Sequence, residues 1–379
     1  MKLIKTKILF DGSSEKNDYF IGFDGSTIRY SGKNKPIGSH EIIYECEAVT
    51  PAFIDAHSHI GMIRSGEPAD EEEANERMNP IYPLNSALHS IYMDDNSFKE
   101  SVESGVLYSV ILPGSGNIIS GNAVLVKNFT SNIKEAYIKD IGIKTALGYN
   151  PRSTEKWSGT RPSTRMGAIA LLRENFLKAK KTTNLLRKKK KSIEEVDPIT
   201  EIFMDILDKK RSLMVHLHKE DDVMILLQLA KEFQIKVIAN HLCDVHDTNI
   251  FTELRSASIP IIYGPLDAFP YKVELKHESW RNIEKLIESN AKFSLMSDHP
   301  VTLQRNLFLG LRHLLRYGLS KSAAISKITK EAANILNIKN IGQIRPGYKA
   351  SMIMWNREPF SLTSYPKLVL AEGKTVYED

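Results

Sequence analysis

Residues 53–61 read FIDAHSHIG, a short apolar run ending in two histidines one residue apart. Side chains i and i+2 of a strand leave the same face. His57 and His59 therefore project together at the strand's C-terminal end, and two neutral imidazoles converging there begin a divalent-metal site. An isolated HxH is a modest signal. Its weight here comes from similar strand ends further along the chain.

After Thr50, strand-like runs alternate with helical stretches. YSVILPG (108–114), GIKTALGY (142–149), SLMVHLH (212–218), KVIANHL (236–242), IPIIYG (259–264) and AKFSLMSDH (291–299) are interleaved with segments such as DDVMILLQLAKEFQ (221–234) and WRNIEKLIESN (280–290). Strands alternating with helices imply βα units and a parallel sheet. The stretch 51–340 is long enough for a (β/α)8 TIM barrel with insertions, whose active sites lie at the C-terminal strand ends. Residues 1–50 (KLIKTKILF, YFIGFDGSTIRYSG, HEIIYECEAV) and 341–379 (SMIMW, KLVLAEGK, TVYED) read instead as short strands broken by turns. The expected organisation is an α/β barrel over 51–340 and a small composite β-sandwich domain built from 1–50 plus 341–379.

The same strand-end chemistry recurs along the barrel segment. His216 and His218 close one run, His241 closes the next, and Asp298 closes a later one. Histidine, histidine, histidine and aspartate at successive strand ends outweigh the alternative of scattered core and surface histidines. His216 shares a face with His218, which suits pocket lining or support of a ligand equally with a buried structural role. His299 follows Asp298 directly and reaches the pocket only if the strand ends there. Arg165, in RPSTRMG, stands at an expected helix start, where a guanidinium can clamp a substrate carboxylate; surface packing is the commoner fate.

Composition narrows the remaining classes. Of 379 residues, 51 are Lys or Arg and 46 Asp or Glu, a net charge of +5, with 42% hydrophobic residues. That is an ordinary globular balance, excluding collagen-like, disordered and membrane-bundle chains. Two cysteines, Cys46 and Cys243, form no CxxC pattern, so neither a disulfide framework nor a thiolate zinc knuckle is expected. The N-terminus shows no signal-peptide pattern, and a cytoplasmic location is expected. The run from Lys178 to Lys191, KAKKTTNLLRKKKK, lacks interleaved aromatics and reads as a solvated surface. PGSGNIISGN (113–122) lacks the phosphate-loop pattern and reads as a tight βα loop at the barrel mouth. A small-molecule substrate is expected, without a nucleic-acid or membrane partner, and homo-oligomerisation stays open.

Taken together, FIDAHSHIG, VHLHKEDD (215–222), ANHL (239–242), SDHPV (297–301) and IGQIRPGYKASMIMWN (341–356) resemble the amidohydrolase superfamily of metal-dependent hydrolases. LPGSGNIISG, ALGYNP and RPSTRMG resemble its imidazolonepropionase-like branch. The resemblance implies His57, His59 and His218 as metal ligands, with Asp298 as the last-strand carboxylate that touches the metal and handles the water proton. It makes His241 either a second-metal ligand or a polariser of the substrate carbonyl. Many relatives carry Glu where this chain has Tyr149, and a neutral phenol is a poor substitute because its reference pKa is about 10. One divalent ion is therefore expected, zinc first and Fe2+ or Mn2+ as alternatives, with Tyr149 lining the substrate pocket. Lys127 is the candidate for the carboxylated lysine that bridges two metals in other members.

The expected reaction is hydrolysis of a non-peptide carbon–nitrogen bond, in a cyclic amide or small acylated amine. Two alternatives stand beside it. A hydrolytic deaminase would use an acidic residue three positions after His218, here Asp221, though helix capping accounts for that residue as well. A non-catalytic scaffold on the same fold would have lost these donors.

Overall fold

The computed structural model describes residues 1–38, 40–152 and 159–379. Among the described residues, fifteen strands form two sheets. Strands β1 (Lys2–Phe10), β2 (Glu15–Asp24), β3 (Thr27–Gly32), β4 (Glu41–Pro51), β13 (Met352–Trp355), β14 (Pro366–Ala371) and β15 (Lys374–Glu378) belong to one; β5 (Phe53–Ser58), β6 (Val106–Ile111), β7 (Ile119–Lys127), β8 (Tyr137–Ala146), β9 (Leu213–Leu217), β10 (Val237–His241), β11 (Ile261–Tyr263) and β12 (Phe293–Leu295) form the other.

The second sheet runs β5 to β12 in chain order and curls into a nearly closed TIM barrel. Most of its strand residues are buried on both faces, which is why β6 (VLYSVI) and β10 (VIANH) are almost continuous apolar runs. The ends meet at the site: Asp298 N–H donates to the His57 carbonyl and His59 N–H to the His299 carbonyl, each at 3.0 Å.

One strand departs from the expected parallel pattern. β7 is antiparallel to both neighbours, because only residues 112–118 join it to β6, too few for the crossover of about a dozen residues that a parallel return needs. The stretch PGSGNIISGN is accordingly less a βα loop than a hairpin connection, with Ile119, Ser120 and Gly121 already in β7.

The first sheet draws strands from both chain ends, in the order β15-β14-β13-β4-β1-β2-β3. Its strands hydrogen-bond as one continuous sheet, where a sandwich was expected. Within β1, Lys2, Lys5 and Lys7 face solvent while Leu3, Ile4 and Leu9 are buried. Phe53 at the barrel floor stacks on Phe308, and Phe308 on Trp355 of β13, so the sheet and barrel share core residues.

The lysine run begins inside a 23-residue helix, Arg165–Arg187, capped by the Thr164 hydroxyl, and continues past its end. Lys178 pairs with Asp197, and Lys180 lies over Phe233. Lys188, Lys189 and Lys190 are exposed at the helix's C-terminal end, where cations complement the helix dipole. Among the described residues, no helix is long and apolar enough to cross a membrane.

Candidate metal centre

The C-terminal ends of β5, β8, β9, β10 and β12 deliver a cluster of buried histidines, one lysine and one aspartate. His59 Nδ1 donates to the Leu112 carbonyl at 2.7 Å, leaving the Nε2 lone pair turned toward Asp298 Oδ1 at 3.4 Å. His57 Nε2 lies 3.5 Å from the same oxygen, and its Nδ1 is 2.9 Å from the Asn240 amide. His241 donates from Nδ1 to the Gly264 carbonyl at 3.1 Å. His241 and Asp298 both adopt left-handed backbone conformations, φ 78° and 54°. Such strain in residues that end barrel strands is what a surrounding structure holds in place at functional sites.

The cluster resolves into two donor sets that share His241. His57, His241 and Asp298 form one; His216, His218 and His241 form the other, with the ligating atoms of each set within 4.8 Å of one another. Nδ1 of His216, Nδ1 of His218 and Nε2 of His241 are buried without a partner among the described residues. Buried polar atoms are almost always hydrogen-bonded, so three converging unpaired imidazole nitrogens fit a divalent cation. Burial, aided by nearby positive charge, pushes His57, His218 and His241 well below the usual histidine pKa and His216 down to about 4. The rings are therefore neutral near pH 7, the state that ligates metal.

Among the ionisable groups here that escaped sequence reading, two stand nearest the histidines. Lys144, in β8, is fully buried with Nζ 3.1 Å from His57 Nε2. Burial pushes its pKa down to about 7, against the attraction of Asp298. Its signal was a lysine inside the apolar run GIKTALG, where a charge is costly. Lys127, the expected candidate, instead pairs with Glu372 at 3.3 Å and lies over Phe129. It ends the reversed strand, which turns it away from the histidines. The second group, Glu274, comes from the loop after β11. Burial works against its charged form, yet the His216 hydrogen bond and the charges of His216, His218 and Lys272 hold the carboxyl well below its usual range. No local pattern marked it.

The softer candidates divide. His216 joins the cluster. Tyr149 is 41% exposed and contributes its backbone N–H, which donates to Glu274 Oε2 at 2.9 Å. Arg165 is already committed to Asp222 at 3.1 Å and lies 3.9 Å from the exposed Asp221, which accounts for both by helix-end pairing. His299 is buried, and its Nδ1 accepts the Gln304 N–H at 3.2 Å, so it supports the loop carrying Asp298. Beneath the cluster, Asp55 accepts the backbone N–H groups of His57 and Ser297, the Ser297 hydroxyl and the Gln304 amide. It ties the first strand to the segment following the last.

Neutral imidazoles and a carboxylate converging at the strand ends of a TIM barrel define a class, hydrolases that use a bound metal ion. The chain belongs to the amidohydrolase family, whose model matches residues 180–376. It is 23% identical over 371 residues to amidohydrolase tasK of Hapsidospora irregularis, a match covering 89% of this chain and 37% of that protein. The chain thus spans well under half the length of that curated relative. An amidohydrolase from Thermotoga maritima MSB8 superposes with a TM-score of 0.91 at 29% identity, over 100% of both chains. A prolidase complexed with N-methylphosphonate-L-proline superposes at 0.64 with 13% identity, again over 100% of both chains, a likeness of fold alone.

Proposed function

We propose that this chain is a metal-dependent amidohydrolase that cleaves a carbon–nitrogen bond in a small cyclic amide or acylated amine, using two divalent ions, most simply zinc. The observation that carries this reading is Lys144, fully buried with its amine 3.1 Å from His57 of the first donor set. Expectation of a single ion rested on the missing carboxylate at Tyr149. Lys144 supplies a substitute: its amine, with a pKa of about 7, adds carbon dioxide and loses a proton to become an anionic carbamate, as in the relatives with a carboxylated lysine. His57, His59 and Asp298 would hold one ion and His216, His218 and His241 the other, with the Lys144 carbamate between.

When bound, such ions lower the pKa of water toward about 7 and polarise the scissile carbonyl. Asp298, within 3.4–3.9 Å of His57, His59 and His241, accepts the proton of the attacking water and returns it to the leaving nitrogen. Its left-handed backbone and its N–H bond to the His57 carbonyl keep the carboxylate facing the histidines. Neutral His57, His218 and His241 favour cation binding over protonation. The exposure of Asp221 and its 3.9 Å approach to Arg165 favour this reading over the deaminase. The scaffold reading meets a complete donor set.

Elemental mass spectrometry of the purified protein, alongside a His57→Ala, His59→Ala double variant, tests the site. Two equivalents in the parent with loss in the variant, and formation of a free amino group from members of a panel of cyclic amides and acylated amines but not from X-Pro dipeptides, are expected. One equivalent would restore the single-ion arrangement. Ammonia release from a heterocycle would restore the deaminase.

A further inference from the structure

The loop after β11 carries two charged side chains into the site that the chemistry above leaves without a task. Tyr271 and Val273 face solvent, while Lys272 and Glu274 turn inward, Glu274 being 2% exposed. Glu274 Oε1 lies 2.7 Å from Lys272 Nζ, 3.5 Å from His216 Nε2 and 3.9 Å from His218 Nε2. Its Oε2 accepts the Tyr149 N–H at 2.9 Å. This approach requires glycine at 148, where a Cβ would stand 2.9 Å from the same oxygen. Lys272 also donates to Asn150 Oδ1 at 3.2 Å, and Asn150 Nδ2, bonded to Ser115 at 2.7 Å, lies 3.3 Å from His216 Nε2.

These contacts decide which nitrogen of His216 carries its proton. A proton on Nδ1 would be a buried donor with no acceptor among the described residues. On Nε2 it meets a carboxylate, a charge-assisted bond stronger than the competing amide contact. Neutral imidazole holds one ring proton, so Nδ1 keeps its lone pair. That lone pair belongs to the ring packed 4.3 Å from His241 and 4.8 Å from His218, centroid to centroid.

We propose that Lys272 and Glu274 are positioning residues that make His216 a metal donor through Nδ1: Glu274 takes the Nε2 proton in a hydrogen bond, and Lys272 holds the carboxylate in place. Ligating histidines characteristically donate their other N–H to such a partner, whose loss weakens metal affinity by roughly 10–100-fold. The proposal rests on the two-ion reading and adds that only the second ion depends on this pair.

The test uses the full chain, loaded with zinc and dialysed against a weak chelator. Metal content is measured for the parent, Glu274→Gln, Glu274→Asp and Lys272→Met, and the His216 tautomer by ring nitrogen NMR, assigned with His216→Gln. Expected are two equivalents in the parent, about one in Glu274→Gln, partial recovery in Glu274→Asp, and a second ion released at least tenfold faster in Lys272→Met. The parent should show an Nε2–H tautomer for His216 that Glu274→Gln loses. Retention of both ions with unchanged chelator resistance in Glu274→Gln and Lys272→Met would overturn the proposal. Should Glu274→Gln misfold, Lys272→Met decides by the same release rate. If the parent holds fewer than two ions, the two-ion reading fails by itself and the tautomer decides this one: Nε2–H in the parent upholds it, and Nδ1–H overturns it.

Discussion

Lys144 Nζ stands 3.1 Å from His57 Nε2, with both side chains fully buried in the barrel. A lysine and an imidazole this close cannot both be protonated in a dry interior. A neutral Lys144 amine is the form that reacts with carbon dioxide. Protein loaded with zinc and carbon-13 bicarbonate should therefore show a carbamate resonance, and Lys144→Ala should lack it, bind less metal and regain activity with added short carboxylic acids. A parent without the resonance under saturating bicarbonate would leave Lys144 a plain amine.

Asp298 both faces one ion's histidines and moves the proton in the proposed reaction, so Asp298→Asn should hold that ion less tightly and, compared at matched metal loading, lose roughly 10²–10⁴-fold in kcat, the usual worth of a positioned acid–base group. Steady-state kinetics on variant protein with verified metal content would measure it. Turnover within tenfold of the parent would require another proton acceptor.

Gly148 combines φ 83° with the close approach of two carboxylates, Glu274 and Asp222, each 2.9 Å from where a Cβ would stand. Gly148→Ala should destabilise the fold by about 1–2 kcal/mol from the left-handed backbone alone, with a further loss from displacing Glu274. Thermal unfolding of metal-free protein reads the first contribution and metal content the second.

In metal-free protein, His216 binds its proton with a pKa of about 4 against 6.5 when unfolded, and His57, His218 and His241 are also well below 6.5. Through that window the unfolded chain holds more protons, so stability is present above pH 6.5 and is lost as pH falls. His216 alone accounts for about 3 kcal/mol. Asp55, pushed up to about 6 by burial and only partly drawn back by its hydrogen bonds, acts in the opposite sense between pH 6 and 3.8, but four histidines outnumber it. Denaturation midpoints at pH 7 and pH 5 should show the lower stability at pH 5, and the reverse order would contradict the buried neutral rings.

Changing Lys188 to Lys191 to serine should leave metal content and turnover unchanged, because Lys188 only closes a helix far along the chain from the strand ends that carry the donors. The cost in stability should stay within about 1 kcal/mol, the scale of exposed charges at a helix C-terminus. Kinetics and thermal unfolding on the same preparation would detect a larger role.

The strand-end histidines and Asp298 are legible in the sequence because each is local: an apolar run gives the strand, and its last residues point into the barrel mouth. The barrel itself follows from the alternation of such runs with helices. Lys127 misled because β7 runs backwards, and the direction of one strand depends on a connection's length and on what its neighbours pair with. The Arg165 pairing could not be read locally, because its partner, Asp222, lies far along the chain, on the helix after β9.

The sequence alone therefore determined the α/β class, the positions of the donor-bearing strand ends and the residue types that meet there, since strand periodicity and burial act over a few neighbours. Only tertiary structure decided that Lys144 stands beside His57, that Glu274 reaches His216 from the loop after β11, and that His241 is shared by two donor sets. The first two of those relations join residues 87 and 58 positions apart. All three are set by barrel closure and by the need of each buried polar group for a partner.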